Sequence, residues 1–300
     1  MQKIAKDFAL NKYLYVMMLP VLIYYFVFHY APMYGAIIAF KEYTPIKGIL
    51  GSEWVGLANF QSFFESYYFW RILKNTLVIS FYSICFEFPA PIILAILINE
   101  IRNGRFKRIV QSVSYMPYFI SLVVICGMIK DFTSSDGVVN LMWTFFGGDG
   151  QAMLQKPELF RAIYIISEIW QKIGWESIIY IAALMSIDQE QYEAARMDGA
   201  GRWRQIWNIT IPGIMPTIMI MLILRIGSLL NVGFEKIILL YNPSIYDTAD
   251  VISSFVYRKG LLEFGWSYST AVGLFNSVIN LLLLITANRV SRKFSESSLW

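Results

Sequence analysis

Within residues 162–186, a run dominated by apolar side chains, stand Glu168, Gln171, Lys172, Trp175 and Glu176. Separations of three and four place them on one face of a helix, where Lys172 can pair with either glutamate. Charge inside an apolar span is costly, and it is kept where it meets a partner helix or a water-filled path. Trp170 and Trp175 add flat apolar faces of the kind that stack on sugar rings. The group therefore has the chemistry to hold a polar cargo, and the competing reading is an ion-pair cluster between helices or near the outer interface. Glu87, Tyr115, Tyr118, Arg225 and Asn231 are further polar side chains in apolar surroundings. Pro89 and Pro91 near Glu87, and Pro117 between the two tyrosines, loosen backbone hydrogen bonds and free carbonyl groups toward a cavity. Each of these side chains could instead hold helices together.

Bond-making chemistry has no comparable support. No glycine precedes a lysine in the G-x-x-x-x-G-K-[ST] pattern, so any ATP used must be bound by another subunit. There is no G-x-S-x-G elbow and no H-E-x-x-H metal site. Cys85 and Cys126 fall in apolar runs and indicate neither a disulfide framework nor a metal cluster, and the single histidine, His29, reads as structural or interfacial.

A different kind of chemistry, contact with a partner, is written into residues 193–216. Ser186 or Asp188 can cap a helix that runs to about Asp198, with an acidic first turn. Gly199 can take the left-handed conformation that ends it, and Trp203, Ile206 and Trp207 form an apolar patch on a second helix. Ala194 and Ala195 let a partner backbone come close, Glu193 and Asp198 can accept hydrogen bonds from it, and Pro212 helps restart the chain as the next span. An ordinary amphipathic loop helix is the bland alternative.

The elements that must position these groups are membrane spans. Hydrophobic residues make up 57% of the 300 and charged residues 15%, too few charges to cover a soluble protein of this size. A hydrocarbon core about 30 Å thick takes about 20 apolar residues to cross. Six runs qualify, at residues 14–40, 72–98, 109–129, 162–186, 213–240 and 271–287, and the first is too long for a cleaved signal peptide and reads as an uncleaved anchor. The expected fold is an all-α integral membrane protein of six transmembrane helices. Residues 1–13 form an N-terminal segment, 14–290 the membrane domain with a loop at 187–212 between helices 4 and 5, and 291–300 a tail. Thirteen Lys and Arg lie on the side holding both termini and that loop, against five on the other (Lys41, Lys47, Lys156, Arg258, Lys259). The cationic side is the cytosolic one, so both termini are expected in the cytosol. The net charge of +4 is mostly this topology signal, and no basic-aromatic patch supports a nucleic-acid partner.

The run Glu193-Ala194-Ala195-Arg196-Met197-Asp198-Gly199-Ala200, followed by Ile209-Thr210-Ile211-Pro212 and Pro216, resembles the EAA motif of permease subunits from binding-protein-dependent ABC importers. Ile211 stands where that family usually has leucine. Pro32-Met33-Tyr34-Gly35, Ala39-Phe40-Lys41 and Trp54-Val55-Gly56-Leu57-Ala58-Asn59-Phe60 are similar to carbohydrate-uptake permeases, in particular those importing polysaccharide-derived oligosaccharides in Gram-positive bacteria. The resemblance implies that the 187–212 loop is a coupling helix seated in a groove of a cytosolic ATPase. Glu193, Ala194, Ala195, Met197, Asp198, Gly199 and Ala200 would carry that contact. It further implies a plasma-membrane protein with a second permease subunit, a different chain, and two ATPase subunits that hold the ATP and Mg. A lipid-anchored extracellular solute-binding protein would deliver the oligosaccharide, and this chain would hold no cofactor of its own. Lys172 and Arg225 would suit uronic-acid units. An ion-driven secondary transporter would show helix-breaking pairs in repeated halves, which are absent. A membrane-embedded enzyme would need convergent catalytic side chains.

Overall fold

The structure, a computed structural model, describes residues 10–294. Lys3 and Lys6 of the topology signal, and residues 295–300 of the expected tail, lie outside the described residues. Regular structure among the described residues is helical apart from one small hairpin. The chain forms two compact units: one is built from the chain up to Glu65 with Val256–Leu274, the other from Ser66–Phe255 and the chain from Phe275 onward.

In the first unit, helix α1 (Lys12–Phe40) is long and apolar enough to cross a membrane, as expected for the first span. It widens to a π-turn at Phe26–Tyr30 and tightens to a 3-10 stretch at Tyr34–Phe40. Strands β1 (Lys41–Glu42) and β2 (Glu53–Trp54) follow, antiparallel, with Lys41 opposite Trp54. The Gly-Leu-Ala-Asn-Phe stretch fastens this hairpin. Gly56 takes a φ of 61°, which a side chain would strain. Asn59 Nδ2 donates to the carbonyls of Ala39 (2.9 Å) and Lys41 (3.2 Å), and Phe60 packs on Phe40. Helix α2 (Ala58–Glu65) carries both residues.

In the second unit, α3 (Phe69–Glu100) spans as expected. The third span departs from expectation. Helix α4 (Gly104–Phe119) is bent by 97° from the apolar stretch that follows it, α5 (Leu122–Thr133) and α6 (Val138–Phe145). Pro117 cannot donate to the helix ladder, and the last turn of α4 tightens to 3-10 geometry over Met116–Phe119. Helix α7 (Pro157–Met185) covers the fourth expected span in one piece of 29 residues. Its charged residues set it apart: among the described residues, length and composition alone mark four helices as membrane-crossing, α1, α3, α9 and α12, and the bent pair as a fifth.

Helix α8 (Gln189–Met197) is the short helix read from the loop. The next element corrects the expectation that Pro212 restarts the chain: α9 (Arg202–Gly227) is continuous from the loop into the span. The proline is absorbed by a π-turn at Ile206–Thr210, closed by the Ile211 N–H on the Ile206 carbonyl. The same device precedes Pro32 in α1 and Pro89 in α3, where the π-turn covers Ser83–Glu87. A wider turn ahead of each proline accommodates the missing donor without breaking the rod. The fifth span also ends early. Helix α9 stops at Gly227, whose added Cβ would lie 2.5 Å from Leu284, and α10 (Phe234–Leu240) is a separate element after an irregular stretch. Helix α11 (Ile252–Tyr257) leads to α12 (Trp266–Phe294), which continues helically past residue 291, where the tail was expected to begin.

Helix α7 organises the second unit. Phe160, Tyr164 and Ile165 join one apolar cluster with Ile79, Val232 and Ile237, while Tyr180, Ile181 and Leu184 join another with Ala95, Ile98 and Ile214. The buried α7 residues between them are Ser167, Glu168, Gln171, Gly174 and Ser177. A polar belt therefore lies between two apolar layers. Because lipid is as apolar as the side chains, close packing and polar contacts rather than burial hold such helices together. Gly174 meets that need where α4 crosses α7, against the backbone of Ser114 and Tyr115.

Candidate functional site

A cavity of about 130 Å³ opens in the polar belt. Glu87, Glu168, Lys172, Arg225 and Asn231, five of the residues singled out from the sequence, line it together. The proline-linked π-turn of α3 presents Ser83 and Glu87, both buried. The Ser83 hydroxyl donates to Glu87 Oε2 at 2.6 Å, and Arg225 Nη2, from the last turns of α9, reaches the same oxygen at 2.5 Å. On the facing side Glu168 Oε2 lies 2.5 Å from Lys172 Nζ, the pairing expected one helical turn apart.

Asn231 is placed by the break after α9. Asn276 and Asn280 of α12 both donate to its Oδ1, at 2.8 and 3.1 Å, and Asn280 Oδ1 accepts from the Leu230 N–H. Ser80 donates to the Leu229 carbonyl. Backbone groups freed where the fifth span ends are thus satisfied by buried side chains, as an irregular segment at membrane depth requires.

The other expected pathway residues stand outside the cavity lining. Gln171 and Glu176 continue the α7 face but are not part of the wall. Trp175 turns to Tyr118, with ring centroids 4.6 Å apart and planes within 4°, and Phe119 meets its edge. Tyr115 lies at the α4–α7 crossing, its backbone beside Gly174. Sequence reading missed Ser83, Tyr164 and Lys236. Lys236 fell inside the expected fifth span and carried the same signal as Arg225, a cation in an apolar run. It is 1% exposed, 3.1 Å from Glu168 Oε1, with its ammonium over the Tyr164 ring.

These pairs are mutually dependent. Replacing Arg225 with methionine leaves Glu87 buried without its cation, with an expected loss of about 3 kcal/mol, the lower end for a broken buried pair because Arg225 is partly exposed. The double variant with Glu87→Gln should recover most of that loss in detergent thermal melts. Equal melting of the single and double variants would show that the pair is not coupled.

The second candidate is the α8 turn. Asp188 caps the start, its Oδ1 accepting from the Glu190 N–H at 3.0 Å. At the other end the Ala200 N–H bonds the Ala195 carbonyl at 2.8 Å and the Gly199 N–H bonds the Arg196 carbonyl at 3.0 Å. This is a Schellman closure with Gly199 at a φ of 77°. Glu193, Ala194, Met197, Asp198 and Gly199 are exposed, while Ala195 and Ala200 are half-buried. Tyr192 and Thr210 share a hydrogen bond of 3.0 Å, and Gln205 donates to the Ala200 carbonyl at 2.7 Å. The turn is thereby tied to α9, the helix that carries Arg225.

Outside the spans, the Lys156 ammonium beside Asp149 holds that carboxyl below its usual range.

Residues 88–296 match the family described as binding-protein-dependent transport system inner membrane component. The polygalacturonan/rhamnogalacturonan transport system permease protein YteP of Bacillus subtilis (strain 168) is 45% identical over 97% of this chain and 91% of its own. Protein LplB of the same organism is 43% identical over 97% and 92%. The fold matches a crystal structure of a bacterial ABC transporter involved in the import of the acidic polysaccharide alginate. The TM-score is 0.90 at 44% identity, covering 98% of this chain and 99% of the other. A second solved form of similar fit is that alginate transporter in complex with an alginate pentasaccharide-bound periplasmic protein.

Proposed function

The chain belongs to the family of binding-protein-dependent transport system inner membrane components, the permease subunits of ABC importers, and from that premise we propose that it carries acidic oligosaccharides into the cell by alternating access. The observation that carries the cargo assignment is the cavity between the two apolar layers, where Lys172 and Arg225 stand beside buried carboxylates. A neutral sugar needs hydroxyl partners only. Fixed cations at membrane depth are costly and suit a cargo that brings negative charge. The alginate transporter of similar fold acts on an acidic polysaccharide, which supports the same class here.

In this reading six helices cross the membrane: α1, α3, the bent pair, α7, α9 and α12. Helix α7 is the sixth because its charges face other helices and the cavity rather than lipid. Both termini and the α8 turn lie in the cytosol, in line with the excess of Lys and Arg on that side. The turn at Glu193–Ala200 docks into a cytosolic ATPase, one of two that bind ATP and Mg. A second permease chain completes the pathway, and a lipid-anchored binding protein delivers the cargo from outside. ATP binding pushes on the turn around Gly199, and α9 transmits that push as one rod to Arg225 and the cavity. Hydrolysis and product release reset the inward state.

The test is uptake of a labelled uronic-acid oligosaccharide into proteoliposomes bearing the full complex and its binding protein. Accumulation is expected only with ATP. Uptake that ignores ATP and follows an imposed ion gradient would sink the proposal in favour of a secondary transporter.

A further inference from the structure

Lys236 occupies an unfavourable place. Its side chain is 2% exposed, and it stands in the first turn of α10, where the helix dipole opposes a cation. A cation enclosed at membrane depth persists when it has a task. Neutralising Glu168 does not require it, because Lys172 already sits 2.5 Å from Glu168 Oε2 on the same helix. Lys236 approaches the other oxygen, Oε1, at 3.1 Å. One carboxylate is thus shared by two ammonium groups.

The two lysines are not equivalent. Lys172 is 34% exposed at its side chain and lines the cavity, whereas Lys236 is enclosed behind Glu168 and Tyr164. The ion pair across the cavity lacks this duplication: Arg225 is the cation on Glu87 among the described residues. If Arg225 turned toward a cargo, a buried carboxylate would be left without its cation, which is strongly unfavourable. Lys172 can turn away without that consequence, because Lys236 stays on Glu168.

We propose that Lys236 is a positioning residue for cargo specificity: it keeps Glu168 compensated so that Lys172 is free to bind a carboxylate of the cargo. Lys172 is then the contact that reads negative charge, and Arg225 keeps its partner. On release of the cargo Lys172 returns to Glu168, so the cavity is not left holding an uncompensated charge. The inference rests on the acidic-cargo reading given above.

The test uses the whole complex in nanodiscs, without the binding protein, and equilibrium dialysis against two probes. One is a uronic-acid oligosaccharide, the other the same oligosaccharide with its carboxyl groups reduced to alcohols. The native complex should bind the acidic probe about tenfold tighter than the reduced one. Lys236→Met should lower affinity for the acidic probe about tenfold and leave the reduced probe within about twofold, and Lys236→Arg should restore the difference. A loss of both probes together, or of neither, overturns the role of Lys236. Equal binding of the two probes by the native complex overturns the acidic-cargo reading itself, a failure distinct from the first.

Discussion

Replacing Gly174 with alanine is expected to separate α4 from α7 and to leave little folded protein. An added Cβ would lie 2.0 Å from the Ser114 carbonyl oxygen, 2.3 Å from its carbon and 2.9 Å from the Tyr115 nitrogen. All three are backbone atoms, so no rotamer change relieves the overlap and the helices themselves must part. Overpacking a tight site typically costs about 1–3 kcal/mol, and a crossing that depends on backbone approach belongs at the top of that range or above it. The damage should also reach the neighbouring Trp175–Tyr118 stack, which bridges the same two elements. Gly127→Ala in α5 is the control, since nothing lies within 4 Å of its added Cβ, and helix propensity favours alanine there by about 1 kcal/mol. Fluorescence-detected size exclusion and detergent melting would report both. A Gly174→Ala protein that elutes and melts like the parent would contradict the crossing.

Deleting residues 193–199 should abolish ATP-driven uptake while leaving the chain inserted in the membrane. The exposed face of Glu193, Ala194, Met197, Asp198 and Gly199 is the surface assigned to the ATPase, and its removal takes away the grip without touching the apolar layers of α3, α7 and α9. A gentler variant isolates the backbone contribution. An added Cβ at Gly199 has nothing within 4 Å but the residue holds a φ of 77°, so the main penalty on a side chain there is conformational, at about 1–2 kcal/mol. About a tenfold loss of ATPase association is expected for Gly199→Val and a complete loss for the deletion. Pull-down of the ATPase through a tagged permease measures both, and an ATPase that still co-purifies with the deletion variant would refute the docking assignment.

The local structure of the α8 turn was legible in the sequence almost residue by residue, because its determinants are local. A capping aspartate, an alanine pair and a glycine able to take positive φ act within one or two helical turns. The structure returns the Asp188 cap and the Gly199 closure at the expected positions. Residues 72–98 and 271–287 likewise fall inside α3 and α12, since hydrocarbon thickness translates directly into a count of apolar residues. The pairing of Glu168 with Lys172 follows from helical spacing alone.

Where the spans end was less legible. Hydropathy is blind to the direction of a helix, so it joined α4 to α5 across a bend of 97° and ran the fifth span through the break after Gly227. It also hid the device by which prolines stay inside continuous rods, because a π-turn depends on hydrogen-bond closure and leaves no compositional mark.

By itself the sequence determined membrane insertion, the sidedness signal, the cap and closure of the α8 turn and a list of polar side chains too costly to be in lipid without a purpose. Only the tertiary structure decided which of those side chains meet. It brought Glu87, Glu168, Lys172, Arg225 and Asn231 to one cavity, sent Trp175 and Tyr118 to each other, and added Lys236 from an element far along the chain. The physical reason is that span and turn formation are governed by interactions a few residues apart. A buried charge is governed by whichever partner the packing of distant helices brings within about 3 Å.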